Sequence, residues 1–365
     1  MLHLNYPSTG KTLKPYEEDD QHIIHLWQEI CSAAITQHAS DIHIEAHQDK
    51  SLVRFRVDGE LIPFKVFRRD EHVRLMTRIK ILAKLDIAEQ RLPQDGRLQI
   101  YADYSSPEID CRVSTLPTLY GEKAVIRLLN TSSNELELEQ IGFTPIQLRI
   151  VKQALSQTHG LILVCGPTGS GKTRTLYSFL KYLNREHLNL CSIEDPIEIR
   201  LQGVNQIAYH PKAGLHFNAI IRALLRQDPD VMMIGEIRDS ETAKLAISAA
   251  QTGHLVLSTI HTHQALSCIE RLRYFGIEPH AIAQNILLIS SQRLIRYRDS
   301  SMGRFAIHEV LPFTPKLMTA IEKCVSSTDL GIIAGEEGFR SMRQAADALL
   351  NQGLIDQSVL IDELP

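Results

Sequence analysis

The stretch Gly166-Pro167-Thr168-Gly169-Ser170-Gly171-Lys172-Thr173 decides how this chain is read. It satisfies G-x-x-x-x-G-K-[ST], a phosphate-binding loop. Its surroundings are those such a loop needs: Leu161-Ile162-Leu163-Val164-Cys165 reads as a short buried strand, and Thr173 to Leu183 as a helix. Three glycines let the backbone wrap closely, with N–H groups turned toward phosphate oxygens. The helix N-terminus adds the positive end of a dipole. The segment Gly166–Thr173, with Arg174 behind it, is therefore expected to bind nucleotide. Lys172 is expected to reach the β/γ-phosphates and Thr173 to hold Mg²⁺.

Three further segments sharpen that reading. In Cys191-Ser192-Ile193-Glu194-Asp195-Pro196-Ile197-Glu198 an apolar strand ends in two adjacent carboxylates and Pro196 stops it. At the C-terminal edge of a parallel sheet these face the same crevice as the phosphate loop, so Glu194 is expected to polarise water or to act through a Mg²⁺-bound water. Asp230-Val231-Met232-Met233-Ile234-Gly235-Glu236 delivers Glu236 to that edge. It has the form of a Walker B strand in which Gly235 holds the usual place of the Mg²⁺-binding Asp, so Glu236 must serve the metal, the water, or both. Leu255 to Ile260 is another apolar run, ending in Thr259 and His261. His261 is expected to bond a phosphate or sense its loss.

The 365 residues allow two or three domains, and 44% hydrophobic with 22% charged residues is ordinary for a globular protein. A net charge of −4 gives no global grip on nucleic acid. No run of 18 apolar residues exists, and Met1–Asp20 lacks the apolar core of a signal peptide, so a cytoplasmic location is expected. The six cysteines are scattered with no C-x-x-C pair, which points to neither a disulfide framework nor a zinc knuckle.

The expected organisation is a tail over 1–18, an α+β unit over 19–130, a Ser/Asn linker over 131–138, an α/β unit over 139–278 and a helical region over 279–365. In the first unit, helices are read at about 20–38 and 71–87. Strands surround an Asp58-Gly59 hairpin turn and recur at 97–101, 109–114 and 123–128. In the second, strands at 161–165, 188–193, 230–234 and 254–259 alternate with helices near 173–184, 216–226, 240–251 and 264–274. That alternation argues a mostly parallel, helix-covered sheet. From about Pro279 on, the pattern reads as helical apart from a short piece at Phe305–Glu309.

GPTGSGKT, SIEDPIEI, LLRQDPDVMMIGEIRD and TGHLVLSTIHT together resemble the Walker A, Asp box, Walker B and His box of the secretion ATPase superfamily, the motors of type II secretion and type IV pilus assembly. Ala39–Glu45, Arg54–Gly59, Arg112–Thr118, Gly121–Lys123 and Arg127–Leu129 resemble the PAS-like domain that precedes the motor in that family. The resemblance implies a RecA-like P-loop motor domain behind a smaller PAS-like domain, with ATP bound between them and a helical C-terminal region. It implies ATP hydrolysis with Mg²⁺ by a homo-hexamer, peripheral at the inner membrane through a platform protein, and driving a prepilin or pseudopilin system, with no direct nucleic-acid partner. It also assigns Arg97, Arg112 and Arg127 to the nucleotide phosphates.

Two elaborations common in that family are not expected here. The PAS-like unit begins within about 20 residues of Met1, so the extra N-terminal domain that docks on the membrane platform is not expected. Gln292-Arg293-Leu294-Ile295-Arg296 runs almost directly into Gly303-Arg304 with no four-cysteine module between, so no zinc is expected. The retained Arg-Val-Ser-Thr-Leu-Pro-Thr segment favours an assembly motor over a pilus retraction motor. A RecA-like nucleic-acid motor and a non-hydrolysing scaffold are the remaining alternatives. The charge balance opposes the first, and the standing Lys172, Glu194 and Glu236 oppose the second.

Overall fold

A computed structural model describes residues 15–57, 59–102, 108–128, 137–299 and 303–358, with backbone only at 15–20 and 212. The expected tail up to residue 14, Asp58 of the hairpin turn and the expected linker up to residue 136 lie outside the described residues. The chain divides into two compact units, Met1–Thr131 and Ser132–Pro365.

The first unit runs α1 (Pro15–Thr36), β1 (Asp41–Ala46), β2 (Ser51–Val57), β3 (Glu60–Phe67), α2 (Arg69–Leu82), β4 (Gln94–Ile100), β5 (Ile109–Thr118) and β6 (Gly121–Leu128). Among the described residues these strands form one antiparallel sheet in the order β3-β2-β1-β6-β5-β4. Strand alternation places Ile42, Ile44, Val53, Phe55, Val113 and Ile126 on one face, buried with Trp27 and Ile30 of α1 and Leu75 and Ile79 of α2. Each such side chain contributes roughly 1.5–3 kcal/mol. The helix expected to reach residue 87 ends at Leu82, where Lys84 turns left-handed with φ 57°.

The second unit begins with α3 (Pro145–Leu155), β7 (Gly160–Cys165), α4 (Lys172–Leu183), β8 (Leu190–Glu194), β9 (Val204–Ala208), α5 (Phe217–Leu224), β10 (Val231–Ile237), α6 (Ser240–Gln251), β11 (Leu255–Ile260) and α7 (Ala265–Tyr274). It continues through α8 (Pro279–Asn285), β12 (Ile286–Arg296), β13 (Arg304–Pro312), α9 (Pro315–Glu322), α10 (Ser327–Glu336) and α11 (Met342–Asn351). The sheet order is β13-β12-β7-β11-β10-β8-β9, parallel except for the antiparallel β13. β7 is buried on both faces: Leu161, Leu163 and Cys165 pack with α5 to α8, while Ile162 and Val164 pack with α3 and α4. This is the doubly covered parallel sheet of a RecA-like domain.

The helices α9 to α11 between Pro315 and Asn351 agree with the expected helical region, but Ile286–Arg296 and Arg304–Pro312 do not. Two long strands there extend the parallel sheet past the boundary expected at 278. Ser290, Ser291 and Gln292 lie in the middle of β12 at 0–1% exposure, so the apolar run that announces a buried strand is interrupted by polar residues whose partners are distant in sequence. On β13, the buried Glu309 accepts from the N–H of Ala265 at 2.7 Å and of Met342 at 2.8 Å. One carboxylate thus caps the first residues of α7 and α11 and ties the C-terminal helix to the sheet. Burial raises its pKa against those bonds.

Candidate active site

β7, β8, β10 and β11 are parallel neighbours, so their C-terminal ends lie along one edge of the sheet. The loop from Gly166 to Gly171 leaves β7 at that edge and enters α4. Gly166, Gly169 and Gly171 hold φ of 142°, 80° and 88°, values that favour glycine, and Gly171 is the N-cap of α4. Lys172 Nζ donates to the carbonyls of Gly166 and Pro167, each at 2.9 Å, closing the loop on itself. Burial lowers the Lys172 pKa. Thr173 is half-buried and Arg174 exposed, while the Ser170 hydroxyl is buried without a protein partner among the described residues. An orphaned hydroxyl inside a ring of amides suits a phosphate oxygen. Ser170, Lys172, Thr173 and the loop amides therefore fit a Mg²⁺–nucleotide.

Glu236 reaches the edge by a bulge. Ile234 pairs with Ser258 and Ile237 with Ile260, so β10 carries one extra residue across Gly235-Glu236. A Cβ at 235 would meet the Ile193 carbonyl oxygen at 3.0 Å, a tight contact that favours glycine at the place such strands usually give to Asp. The displaced Glu236 pairs with Arg238 through one oxygen and accepts from His261 Nε2 at 2.9 Å through the other. An ionised carboxylate only accepts, so His261 carries its proton on Nε2. Burial raises the Glu236 pKa, but the Arg238 bond and charge and the His261 bond outweigh it and hold it below the usual range.

Glu194 is placed differently. It is 3% exposed, bonded to the Tyr177 hydroxyl of α4, to Ser192 Oγ at 2.6 Å and to Gln206 Nε2 at 3.0 Å. Tyr177 in turn accepts from the N–H groups of Glu198 and Ile199 at 3.0 and 3.2 Å. This network fastens the chain after β8 to the helix behind the phosphate loop. Of the two carboxylates, Glu236 is the more open, with a side chain 17% exposed.

Two features were not found from the sequence. Gln292 of β12, quoted there only as the flank of an absent module, bonds the loop itself: its amide donates to the Ser170 carbonyl and accepts from Thr175 Oγ1 at 2.6 Å. The second is a cavity of about 1200 Å³ beside Gly171 and Arg174, lined by Phe143, Tyr297, Phe305 and His308 among others. His308 packs against Phe143 with ring centroids 4.1 Å apart and donates through Nε2 to the Ile141 carbonyl at 3.1 Å. Complete burial pushes the His308 pKa down to about 4. Below pH ~6.5 the unfolded chain takes up a proton that the folded one refuses, so the stability contributed by neutral His308 is full above ~6.5 and is lost as pH falls toward 4. The expected loss is about 3 kcal/mol, read by denaturant titrations of the wild type between pH 7 and 4, and His308→Gln flattens that dependence.

In the first unit, strand register assembles the expected arginines. Arg56 pairs with Asp41, Asp41 with Arg127, Arg127 with Arg112 and Arg112 with Arg97, one row across five strands on the face opposite the helices. Asp41 accepts from Arg127 Nε at 2.8 Å and lies 3.9 Å from Arg56. Like charges directly opposite destabilise a sheet, and Asp41 offsets part of that charge beside Arg127 and Arg56. Arg56, quoted within the Arg54–Gly59 segment but given no role there, belongs to the same row.

The profile of the type II/IV secretion system protein family matches residues 16–361. The protein transport protein HofB homolog of Haemophilus influenzae is 48% identical over 287 residues, 79% of this chain and 62% of that one. The type IV pilus assembly ATPase PilB of Myxococcus xanthus is 48% identical over 371 aligned positions, 90% of this chain and 65% of its own. The chain thus spans less than two thirds of the length of these two curated relatives. The crystal structure of the pilus retraction motor PilT with bound ADP superposes with a TM-score of 0.74 at 26% identity, covering 93% of this chain and 96% of that one.

Proposed function

Because the chain belongs to the type II/IV secretion system protein family, we propose that it is an ATPase motor that powers assembly of a type IV pilus or a type II secretion pseudopilus. The observation that carries this reading is the meeting, at one sheet edge, of a glycine-rich phosphate loop with the Glu236–His261 pair.

Lys172 exchanges its two loop carbonyls for phosphate oxygens, and the loop amides and the α4 N-terminus hold the β- and γ-phosphates. Thr173 and Glu236 would hold Mg²⁺, which would supply positive charge against those phosphates. Glu236 accepts the proton of the attacking water and His261 keeps that carboxylate oriented. The aromatic cavity beside Arg174 takes the base and ribose. Arg97, Arg112 and Arg127 offset phosphate charge, and their loss slows turnover without unfolding the protein. Glu194 serves through Tyr177 by fixing the turn after β8.

The same reading makes the working form a ring of six copies at the inner face of the membrane, docked through a platform protein. Among the described residues no helix is long and apolar enough to cross a membrane, so attachment through a partner fits. The purified chain with ATP and Mg²⁺ is expected to release phosphate, and Lys172→Ala to abolish release and weaken ADP binding at least tenfold. Undiminished turnover in Lys172→Ala overturns the site. Stimulation by DNA, with none by a membrane platform protein, overturns the motor's assignment to filament assembly.

A further inference from the structure

We propose that Gln292 is a positioning residue that locks the Ser170–Gly171 peptide of the phosphate loop in its anion-binding orientation; this rests on the reading of that loop as a nucleotide site. β12 pairs with β7 up to Ser291 opposite Cys165, so Gln292 is the next residue along, level with the start of the loop. Its side chain is 1% exposed and both ends are engaged. Nε2 donates to the Ser170 carbonyl, and Oε1 accepts from Thr175 Oγ1 at 2.6 Å. The Ser170 carbonyl decides which way the amide faces, because it can only accept and so demands the NH₂, leaving Oε1 for the Thr175 hydroxyl to donate to.

The consequence follows from peptide planarity. The Ser170 carbonyl and the Gly171 N–H belong to one trans peptide and point in opposite directions. Holding the carbonyl toward β12 therefore aims the Gly171 N–H the other way, into the loop. A flip would put a carbonyl oxygen where a phosphate oxygen must sit. Gly171, with φ 88°, imposes little local barrier to such a flip, since it has no Cβ. The freedom that lets the loop wrap is what makes an external lock necessary. It comes from a strand more than 100 residues downstream, which also holds the His box through Ser291 Oγ to the His263 carbonyl at 3.1 Å.

The test compares Gln292→Glu and Gln292→Met with wild type in Mg·ADP affinity, steady-state kinetics and nucleotide-free melting. Both keep side-chain length and lose the donor. ADP affinity is expected to fall at least tenfold and KM for ATP to rise correspondingly, with kcat at saturation changed far less. Thr175→Val, which removes the partner of Oε1 while the Ser170 carbonyl still holds the NH₂, is expected to give a smaller loss of the same kind. Folded variants that melt earlier but bind ADP as wild type does overturn the proposal and leave Gln292 a packing residue. If Gln292→Met does not fold, Gln292→Glu decides, and wild-type affinity in it overturns the proposal. A wild type that neither binds nor hydrolyses ATP overturns the nucleotide reading instead, so the two failures are distinct.

Discussion

Glu236→Gln is expected to lower kcat by about 100- to 1,000-fold and to weaken Mg·ADP more than metal-free ADP, since Glu236 serves both the metal and the water. The substitution preserves shape, removes charge and basicity, and turns one acceptor into a donor facing Arg238 or His261, so unfolding of the variant is measured beside its kcat. Glu236 is held ionised by Arg238 and His261, and that makes it a ready acceptor for the proton of water at neutral pH. Its lowered pKa also places the acid limb of the kcat/KM profile below the ordinary carboxylate range, and the variant loses that limb. Glu194→Gln separates the two carboxylates. The buried Glu194 accepts from Tyr177, Ser192 and Gln206, and an amide there turns one acceptor into a donor facing donors. The expected cost is about 1–3 kcal/mol of stability, read by denaturant unfolding. If Glu194→Gln abolishes turnover with unchanged stability while Glu236→Gln retains it, the roles are the reverse of those proposed.

What could be read in advance was whatever local chemistry enforces. The glycines of the phosphate loop are needed where φ is positive, and the four strands delivering the edge residues are apolar on both faces, so both were visible as composition. β12 was hidden because its buried centre is Ser290-Ser291-Gln292, polar groups that are tolerable inside only through partners such as Ser170, Thr175 and His263. No window of sequence contains both halves of such a bond. The bulge at Gly235 and the row from Arg97 to Arg56 depend on register, which strand alternation leaves open. The helix α3 did carry a readable signal. Thr144 and Gln147 form a reciprocal capping box, and Thr-x-x-Gln ahead of an apolar periodic run announces a helix start.

Gly166→Ala is expected to destabilise the second unit by about 3–5 kcal/mol and to abolish nucleotide binding in whatever fraction remains folded. A Cβ at this position would lie 2.3 Å from the backbone carbonyl oxygen of Gln292 and 2.7 Å from Ser170 Oγ, with φ at 142°. The serine could rotate. The carbonyl cannot retreat, because it belongs to β12, held between β7 on one side and β13 on the other. Relief therefore requires prising the loop away from β12, which breaks the Gln292 contact with Ser170. Gly169→Ala is the control: its φ is 80°, but a Cβ there meets nothing within 4 Å. It therefore bears only the left-handed backbone penalty of roughly 1–2 kcal/mol. The measurement is denaturant unfolding of both variants together with Mg·ADP titration. Equal destabilisation of the two overturns the argument that contact with β12, and not backbone conformation alone, fixes glycine at the first position of the loop.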